Sequence, residues 1–483
     1  MTKTVESVAA RRSFLKGAVA SAVAAATAAG AEGQKAKTVV RPNIILYLAD
    51  QFRWDFLGAN EKNHSTRTPH LDAMAARGKN FTHAVTNQPV CSPARSVVFT
   101  SRYATETGVW HNGFPIHKEL STLPGELHAA GYSTNLIGKW HLAPEKKEDG
   151  GSIGFVPKEY RSGFMDLWEG ANALENTSHP YEGTIWDGDG KEITYKDEYR
   201  VDFLTDRAEK FLRQKHEKPF FLFLSQLEPH QQNDMHQPIG PKGSVQRFAN
   251  ATVPDDLRAL PGTWQAQLPD YYGCVEAIDT SVGRVRKILE EEGLAENTIF
   301  VFFSDHGCHF MTRNTEYKRS THNSSIRVPL VIDGPGFRGR QQIPELIGLI
   351  DVAPTLLEAA GVPVPSTWKG KSAVPLLNDP AAREHWPNRQ LIQISESMTA
   401  RAIRTPDWTY CVADISGKKD TPAAKTYTEY QMYDQRADPH ELVNLAGRAE
   451  YKAKAEELRA ELKKMVVAAG EAEPEILGAK LYP

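Results

Sequence analysis

The chain is poor in cysteine: Cys91, Cys274, Cys308 and Cys411 are its only four in 483 residues. They are too few and too scattered for a disulfide framework. It also lacks a strong charge imbalance. Lys and Arg number 57 against 60 Asp and Glu, a formal net charge of −3. That balance gives no reason to expect nucleic acid or an anionic membrane as partner. A long apolar run is missing too. The Ala-rich run 17–30 is too short and too weakly apolar to span a bilayer, so no stable membrane anchor is expected. What remains is an ordinary globular composition, 40% hydrophobic and 24% charged, long enough for one large domain and a smaller one.

Residues 1–31 read as an export signal. Arg11-Arg12-Ser13-Phe14-Leu15-Lys16 precedes the Ala-rich run, and Ala26-Thr27-Ala28 or Ala29-Gly30-Ala31 offers a cleavage site. The paired arginines resemble a twin-arginine signal, which implies the twin-arginine translocase as partner and a periplasmic or secreted mature protein. Behind it, 32–380 reads as a catalytic α/β domain and 385–483 as a C-terminal subdomain. The division follows a Pro/Asn/Asp-rich linker expected near 375–389.

Four apolar runs set the fold class. Runs 38–49, 133–137, 218–224 and 297–303 each read as a strand buried on both faces. Helical patterns lie at 68–79, 123–131, 201–215 and 271–293. This alternation predicts an α/β fold with a large, mostly parallel central sheet flanked by helices. Beyond it, short strand-like runs at 391–395, 402–405, 408–412 and 429–434, then a charged helix at 448–469, predict a small antiparallel sheet plus helix. The stretches 143–199 and 231–267 read as irregular insertions, with a hairpin turning at Asp187-Gly188-Asp189-Gly190. Trp110, Trp140, Trp168 and Trp186 are candidates either for sugar stacking or for local packing.

Each strand ends in polar residues: Asp50-Gln51, Lys139 with His141, His230, and Asp305-His306. Ligands of such sheets bind beyond the carboxyl ends of the strands, so these residues are expected to converge. Asp50, Gln51 and Asp305 offer hard oxygens suited to Ca²⁺ or Mg²⁺, and the His306 nitrogen leaves room for Mn²⁺. Lys139 and His141 with Arg95 form a cationic lining suited to a tetrahedral anion. Near them, Val90-Cys91-Ser92-Pro93-Ala94-Arg95-Ser96 reads as a helix start. Pro93 suits the first turn, and Cys91 stands at the N-terminal mouth with Arg95 one turn on. From these residues alone Cys91 is either a thiolate nucleophile or a small buried core residue.

Cys91-x-Pro93-x-Arg95, followed by Thr100-Ser101-Arg102-Tyr103-Ala104-Thr105-Glu106-Thr107-Gly108-Val109, resembles the signature of formylglycine-dependent sulfatases, within the alkaline phosphatase superfamily. Further motifs of that family follow in order: Pro42-Asn43-Ile44-Ile45, Thr68-Pro69-His70-Leu71-Asp72, Gly138-Lys139-Trp140-His141-Leu142, Pro229-His230, Ser304-Asp305-His306-Gly307 and Ile326-Arg327-Val328-Pro329-Leu330. The resemblance implies that Cys91 is oxidised to formylglycine by a formylglycine-generating enzyme, leaving an odd three cysteines and no obligatory bridge. It implies one divalent cation, Ca²⁺ foremost, on Asp50, Gln51, residue 91, Asp305 and His306. Arg95 and Lys139 would hold the hydrated aldehyde and sulfate. His141 would be the base that returns the aldehyde. His230 and Lys318 would bind sulfate and assist the leaving group. The implied activity is hydrolysis of a sulfate ester, carbohydrate sulfate foremost, to alcohol and sulfate.

Two departures qualify it. Gln51 and His306 replace the commoner Asp and Asn, as they do in choline sulfatases and phosphonate monoester hydrolases. Asn112 contacts substrate in those relatives, or is a turn residue before Gly113. His322, in Thr321-His322-Asn323-Ser324-Ser325, faces substrate or caps a turn. The alternatives are therefore a phosphonate monoester hydrolase or phosphodiesterase on the same scaffold and, from another class, a secreted glycan-binding protein keeping its Cys91 thiol.

Overall fold

A computed structural model describes residues 41–60, 65–146, 151–417 and 421–482. The export signal expected at 1–31 lies outside the described residues. Pro42–Pro483 form one compact unit.

The main sheet is built from β1 (Asn43–Ala49), β2 (Ser133–Lys139), β3 (Trp168–Ala171), β4 (Phe220–Gln226), β5 (Thr298–Phe303) and β6 (Leu330–Asp333), with shorter strands at its margins. The spatial order is β3-β2-β4-β1-β5-β6. The five strands from β3 to β5 run parallel, whereas β6 pairs antiparallel with β5. The sheet is thus parallel at its centre and mixed at its margins. Its helices are α1 (Cys91–Thr100), α2 (Arg200–Leu212), α3 (Trp264–Glu291) and α4 (Val352–Ala359).

Side chains alternate across β1. Ile44, Leu46 and Leu48 join a core with Phe99 of α1 and Leu356 of α4. Ile45, Tyr47 and Ala49 join the opposite core with Leu204 of α2 and Ile278 of α3. Both faces are covered, which is why β1 reads as a continuous apolar run. Phe99 anchors α1, meeting the rings of Trp140, Phe164 and Phe223 at 5.3, 5.9 and 5.0 Å. Full burial of such a ring is worth about 1.5–3 kcal/mol. It holds Cys91 where the strands end.

Several expectations are corrected. Stretch 143–199 contains β3, hidden because Trp168-Glu169-Gly170-Ala171 offers no apolar run, while the hairpin expected there is present as Glu182–Asp187 with Glu192–Lys196. Helix α3 begins seven residues earlier than its apolar pattern and carries Pro269 inside it, a residue that reads as a helix breaker in the sequence. The expected linker holds two short helices, Pro375–Asn378 and Pro380–Glu384, each with proline at its first position. Trp140 and Trp168 are buried at 0% and 2% exposure and pack in the core, which removes them as sugar platforms.

The C-terminal sheet comprises β7 (Gln390–Ile394), β8 (Ala400–Arg404), β9 (Trp408–Ala413), β10 (Thr426–Asp434) and, after helix α5 (Lys452–Ala468), β11 (Glu475–Leu477). It is antiparallel except for the last pair, β10 and β11. One face packs on α5 through Tyr410, Leu458 and Leu462. The other packs on the main body through Ile392, Ala402, Val85 and Ile326. No helix among the described residues is long and apolar enough to cross a membrane.

Candidate active site

Register brings the strand ends together. Ala49 of β1 pairs with Gln226 of β4, Leu48 with Phe303 of β5, and Ser225 with Gly138 of β2. The residues that follow therefore emerge at one edge. Gln51 and His141 each turn the chain just past a strand with φ of 67° and 65°, conformations that cost about 1–3 kcal/mol in a non-glycine residue and cluster at functional sites.

Helix α1 enters the same edge. Pro93 lies in the first turn of α1 and Val90 at its N-cap supplies no side-chain bond. The cap comes instead from Asn112, whose Oδ1 accepts from the Ser92 amide at 3.1 Å. Cys91 is 1% exposed. Lys318 Nζ donates to its Sγ at 3.0 Å, His306 Nε2 lies 3.3 Å away and Asp50 Oδ1 3.6 Å. Burial pushes the thiol pKa up, but Lys139, Lys318 and His306 outweigh it and hold the group well below the usual cysteine range.

Arg95 lies beneath this cluster. Its Nε donates to Asp305 at 3.3 Å, Nη2 to Asp50 at 3.1 Å, and Nη1 to the Lys139 carbonyl and Ser225 Oγ at 2.8 and 2.9 Å. It clamps two carboxylates instead of reaching outward. Lys139 Nζ bridges Asp50 and Glu175, each at 2.9 Å. Asp50 is fully buried, which raises its pKa as the Cys91 charge does. Lys139, His230 and Arg95 overcome both and keep it ionised.

Asp50, Cys91, Asp305 and His306 place their donor atoms within 4.8 Å of one another. His306 Nδ1 bonds the Gly307 carbonyl at 2.9 Å, which leaves Nε2 as the nitrogen that could ligate an ion. The Gln51 amide bonds Asp305 Oδ1 at 3.2 Å, while its own buried Oε1 has no partner. Two carboxylates, an imidazole nitrogen, an orphaned amide oxygen and residue 91 fit a hard divalent cation.

Two histidines flank residue 91. His141 Nε2 bonds Glu145 at 2.9 Å, and its buried Nδ1 has no partner, 4.0 Å from Glu175. Burial and Lys139 lower its pKa, yet Glu175, Cys91 and Glu145 lift it to about 9. His230 Nδ1 bonds the Gln231 carbonyl at 2.6 Å. Its Nε2 faces Lys318 Nζ at 3.4 Å and Tyr317 Oη at 3.2 Å. Ten residues expected from the sequence thus gather here: Asp50, Gln51, Cys91, Arg95, Lys139, His141, His230, Asp305, His306 and Lys318. Asn112 stands at the mouth of α1. His322 is placed elsewhere: its Nε2 bonds Tyr433 of β10 at 3.1 Å.

Glu175, Glu145, Ser225 and Tyr317 were missed. Glu175 and Glu145 lie in the stretch that reads as irregular, where a single acidic residue carries no signal. Ser225 sits inside an apolar strand, and its contact with Arg95 depends on register.

Comparison with known proteins agrees with this geometry. The family description "Sulfatase" matches residues 42–362, and "N-sulphoglucosamine sulphohydrolase, C-terminal" matches 315–468. An ulvan-active sulfatase of Formosa agariphila is 31% identical over 90% of this chain and 84% of its own. An N-acetylglucosamine-6-O-sulfatase of Bacteroides thetaiotaomicron is 27% identical over 89% and 86%. A solved structure in complex with its substrate D-glucosamine-2-N,6-O-disulfate superposes with a TM-score of 0.72 at 25% identity, covering 90% of this chain and 99% of that one.

Proposed function

The chain belongs to the sulfatase family, and from that premise we propose that it is an exported enzyme cleaving the sulfate ester of a carbohydrate through a formylglycine at residue 91. The observation that carries this reading is the convergence of Asp50, Asp305, His306 and residue 91 within 4.8 Å, with Lys318 Nζ 3.0 Å from the residue 91 side chain. The carbohydrate substrate is supported by the likeness to an ulvan-active sulfatase and an N-acetylglucosamine-6-O-sulfatase, and by the neighbour in complex with its substrate D-glucosamine-2-N,6-O-disulfate. Export is supported by Arg11-Arg12 and the run behind them. On this reading a formylglycine-generating enzyme and the twin-arginine translocase act on the chain before it reaches the periplasm or medium.

Asp50, Gln51, residue 91, Asp305 and His306 would hold one divalent cation, with Ca²⁺ favoured by the oxygen donors. When bound, it would supply Lewis-acid stabilisation of negative charge at the reacting sulfate. Oxidised residue 91 supplies a hydrated aldehyde as nucleophile. The chain's own side chains do the rest. Arg95 fixes Asp50 and Asp305, so the donor set does not reorganise during turnover. Lys318 and Lys139 offset charge on the transferring group. His230, bonded through Nδ1 to a carbonyl and facing Lys318, delivers a proton to the departing alcohol from Nε2. In its neutral form, with Nε2–H held by Glu145, His141 offers Nδ1 to the proton given up in the step that releases sulfate.

The test compares paired aryl sulfate and aryl phosphonate esters, then sulfated glucosamine and ulvan, with and without a chelator. Turnover of sulfate esters that is lost on chelation and restored by Ca²⁺ is expected. Preference for the phosphonate would move the chain to the phosphonate monoester hydrolase reading.

A further inference from the structure

A cavity of about 580 Å³ lies where the loop after β1, the 252–258 loop, the turn at 323–327 and the C-terminal sheet meet, and none of the residues gathered on Cys91 lines it. Its size is that of a small-molecule pocket. Five arginines line it. Two are neutralised: Arg53 by Asp55 and Asp256, at 2.5 and 3.0 Å, and Arg258 by Asp255 at 3.1 Å. Arg327 lies over the Trp54 ring at 3.5 Å and donates to the Thr82 carbonyl. Arg313 spends Nη1 and Nη2 on the carbonyls of Glu441 and His440, and its Nε has no partner. Arg404 is 2% exposed and bonds the neutral oxygens of Asn323, Gln435 and Thr405. No carboxylate of the described residues pairs with Arg313 or Arg404. Glu441, the lining carboxylate beside Arg404, is already bonded by the Asn323 amide, Thr409 and Gln435. Burial without a counterion pulls Arg404 down to about 10, although Glu441 and Asp407 pull the other way. Ser324, 5% exposed, lines the same wall with an Oγ that has no partner.

A buried cation with no carboxylate bonded directly to it, beside an unused hydroxyl, is costly unless something anionic completes it. We propose that this cavity is a second ligand site, which takes the carboxylate of a sugar acid in an acidic glycan. Arg404 and Arg313 supply positive charge suited to a carboxylate, and the Arg313 Nε–H and Ser324 Oγ are donors not yet used. The identity of the ligand rests on the carbohydrate reading above; the anion preference rests on the cavity alone.

The experiment is calorimetric titration of the full chain with an unsulfated oligoglucuronate, which has no ester to cleave. The wild type binds it. Arg404→Gln and Ser324→Asp each weaken binding at least about tenfold. Turnover of 4-nitrophenyl sulfate stays within about twofold in both. Ser324→Asp keeps Arg404 in place, so it reads the cavity even if Arg404→Gln fails to fold. No binding by the wild type, or equal affinity in Ser324→Asp, overturns the proposal. An enzyme that cleaves sulfated sugars but ignores the oligoglucuronate defeats only the cavity. One that binds the oligoglucuronate but cleaves no sulfated sugar defeats only the functional reading.

Discussion

Gln51 and Arg53 are two residues apart in one loop, yet they belong to opposite kinds of buried charge network. Every nitrogen of the Arg53 guanidinium is bonded. Its Nε and Nη2 bond Asp55, Nη2 also bonds Asp256, and Nη1 bonds the Cys308 carbonyl at 2.8 Å. Around Gln51 polar atoms are left over: Gln51 Oε1, His141 Nδ1 and Glu175 Oε2 are buried without partners. Most buried polar atoms in folded proteins are bonded, so a concentration of orphans marks a place built for something else. Burial and charge do not separate the two networks. Unfinished hydrogen bonding does.

The comparison predicts opposite consequences for mutation. The largest effect is Cys91→Ala, which drops turnover to background, roughly 10⁶-fold or more, while the melting temperature stays near that of wild type. Wild-type-like turnover would remove residue 91 from the chemistry. Next is Asp305→Asn, which lowers the rate by at least about 100-fold and strips the bound metal. Metal content measured by mass spectrometry and unchanged in the variant would exclude Asp305 from the ligand set. Arg53→Met inverts the pattern. It leaves Asp55 and Asp256 buried without their cation, so stability falls by about 3–5 kcal/mol in denaturant unfolding. The kcat of the folded fraction stays unchanged, and a large loss of kcat without loss of stability would erase the distinction between the networks.

The smallest effect concerns pH. With residue 91 an unmodified cysteine, the His141 pKa is lifted to about 9 against 6.5 for an unperturbed histidine, despite burial and Lys139. A raised histidine contributes stability that is full below about 6.5 and lost as pH climbs through about 9. Glu145→Gln removes one of the raising groups. The variant's pH–stability curve then falls at lower pH than the wild-type curve. Superposable curves would show that Glu145 does not hold the ring.

Much of this site was legible in the sequence, for physical reasons. Doubly buried parallel strands announce themselves as apolar runs, and their ends mark where a ligand must sit. That is how Asp50, Lys139, His230 and Asp305 could be grouped although they are scattered along the chain. Cys91 is ambiguous by its residue type, and only the motif around it carries the resemblance that points to a nucleophile. The supports were not legible. Glu175 meets Lys139 only because a strand without an apolar run, β3, carries the chain alongside β2. Arg95 could be placed one turn beyond Cys91, but its clamp on two carboxylates and Ser225 depends on strand register. His322 shows the converse: a residue in a promising position was turned by the C-terminal sheet onto Tyr433.

The measurement that bears most directly on the account is the mass of the residue 91 peptide from enzyme matured in its own host and shown to release sulfate. The account predicts an aldehyde in place of the thiol, in proportion to specific activity. A fully active preparation whose residue 91 is an intact cysteine throughout would contradict it.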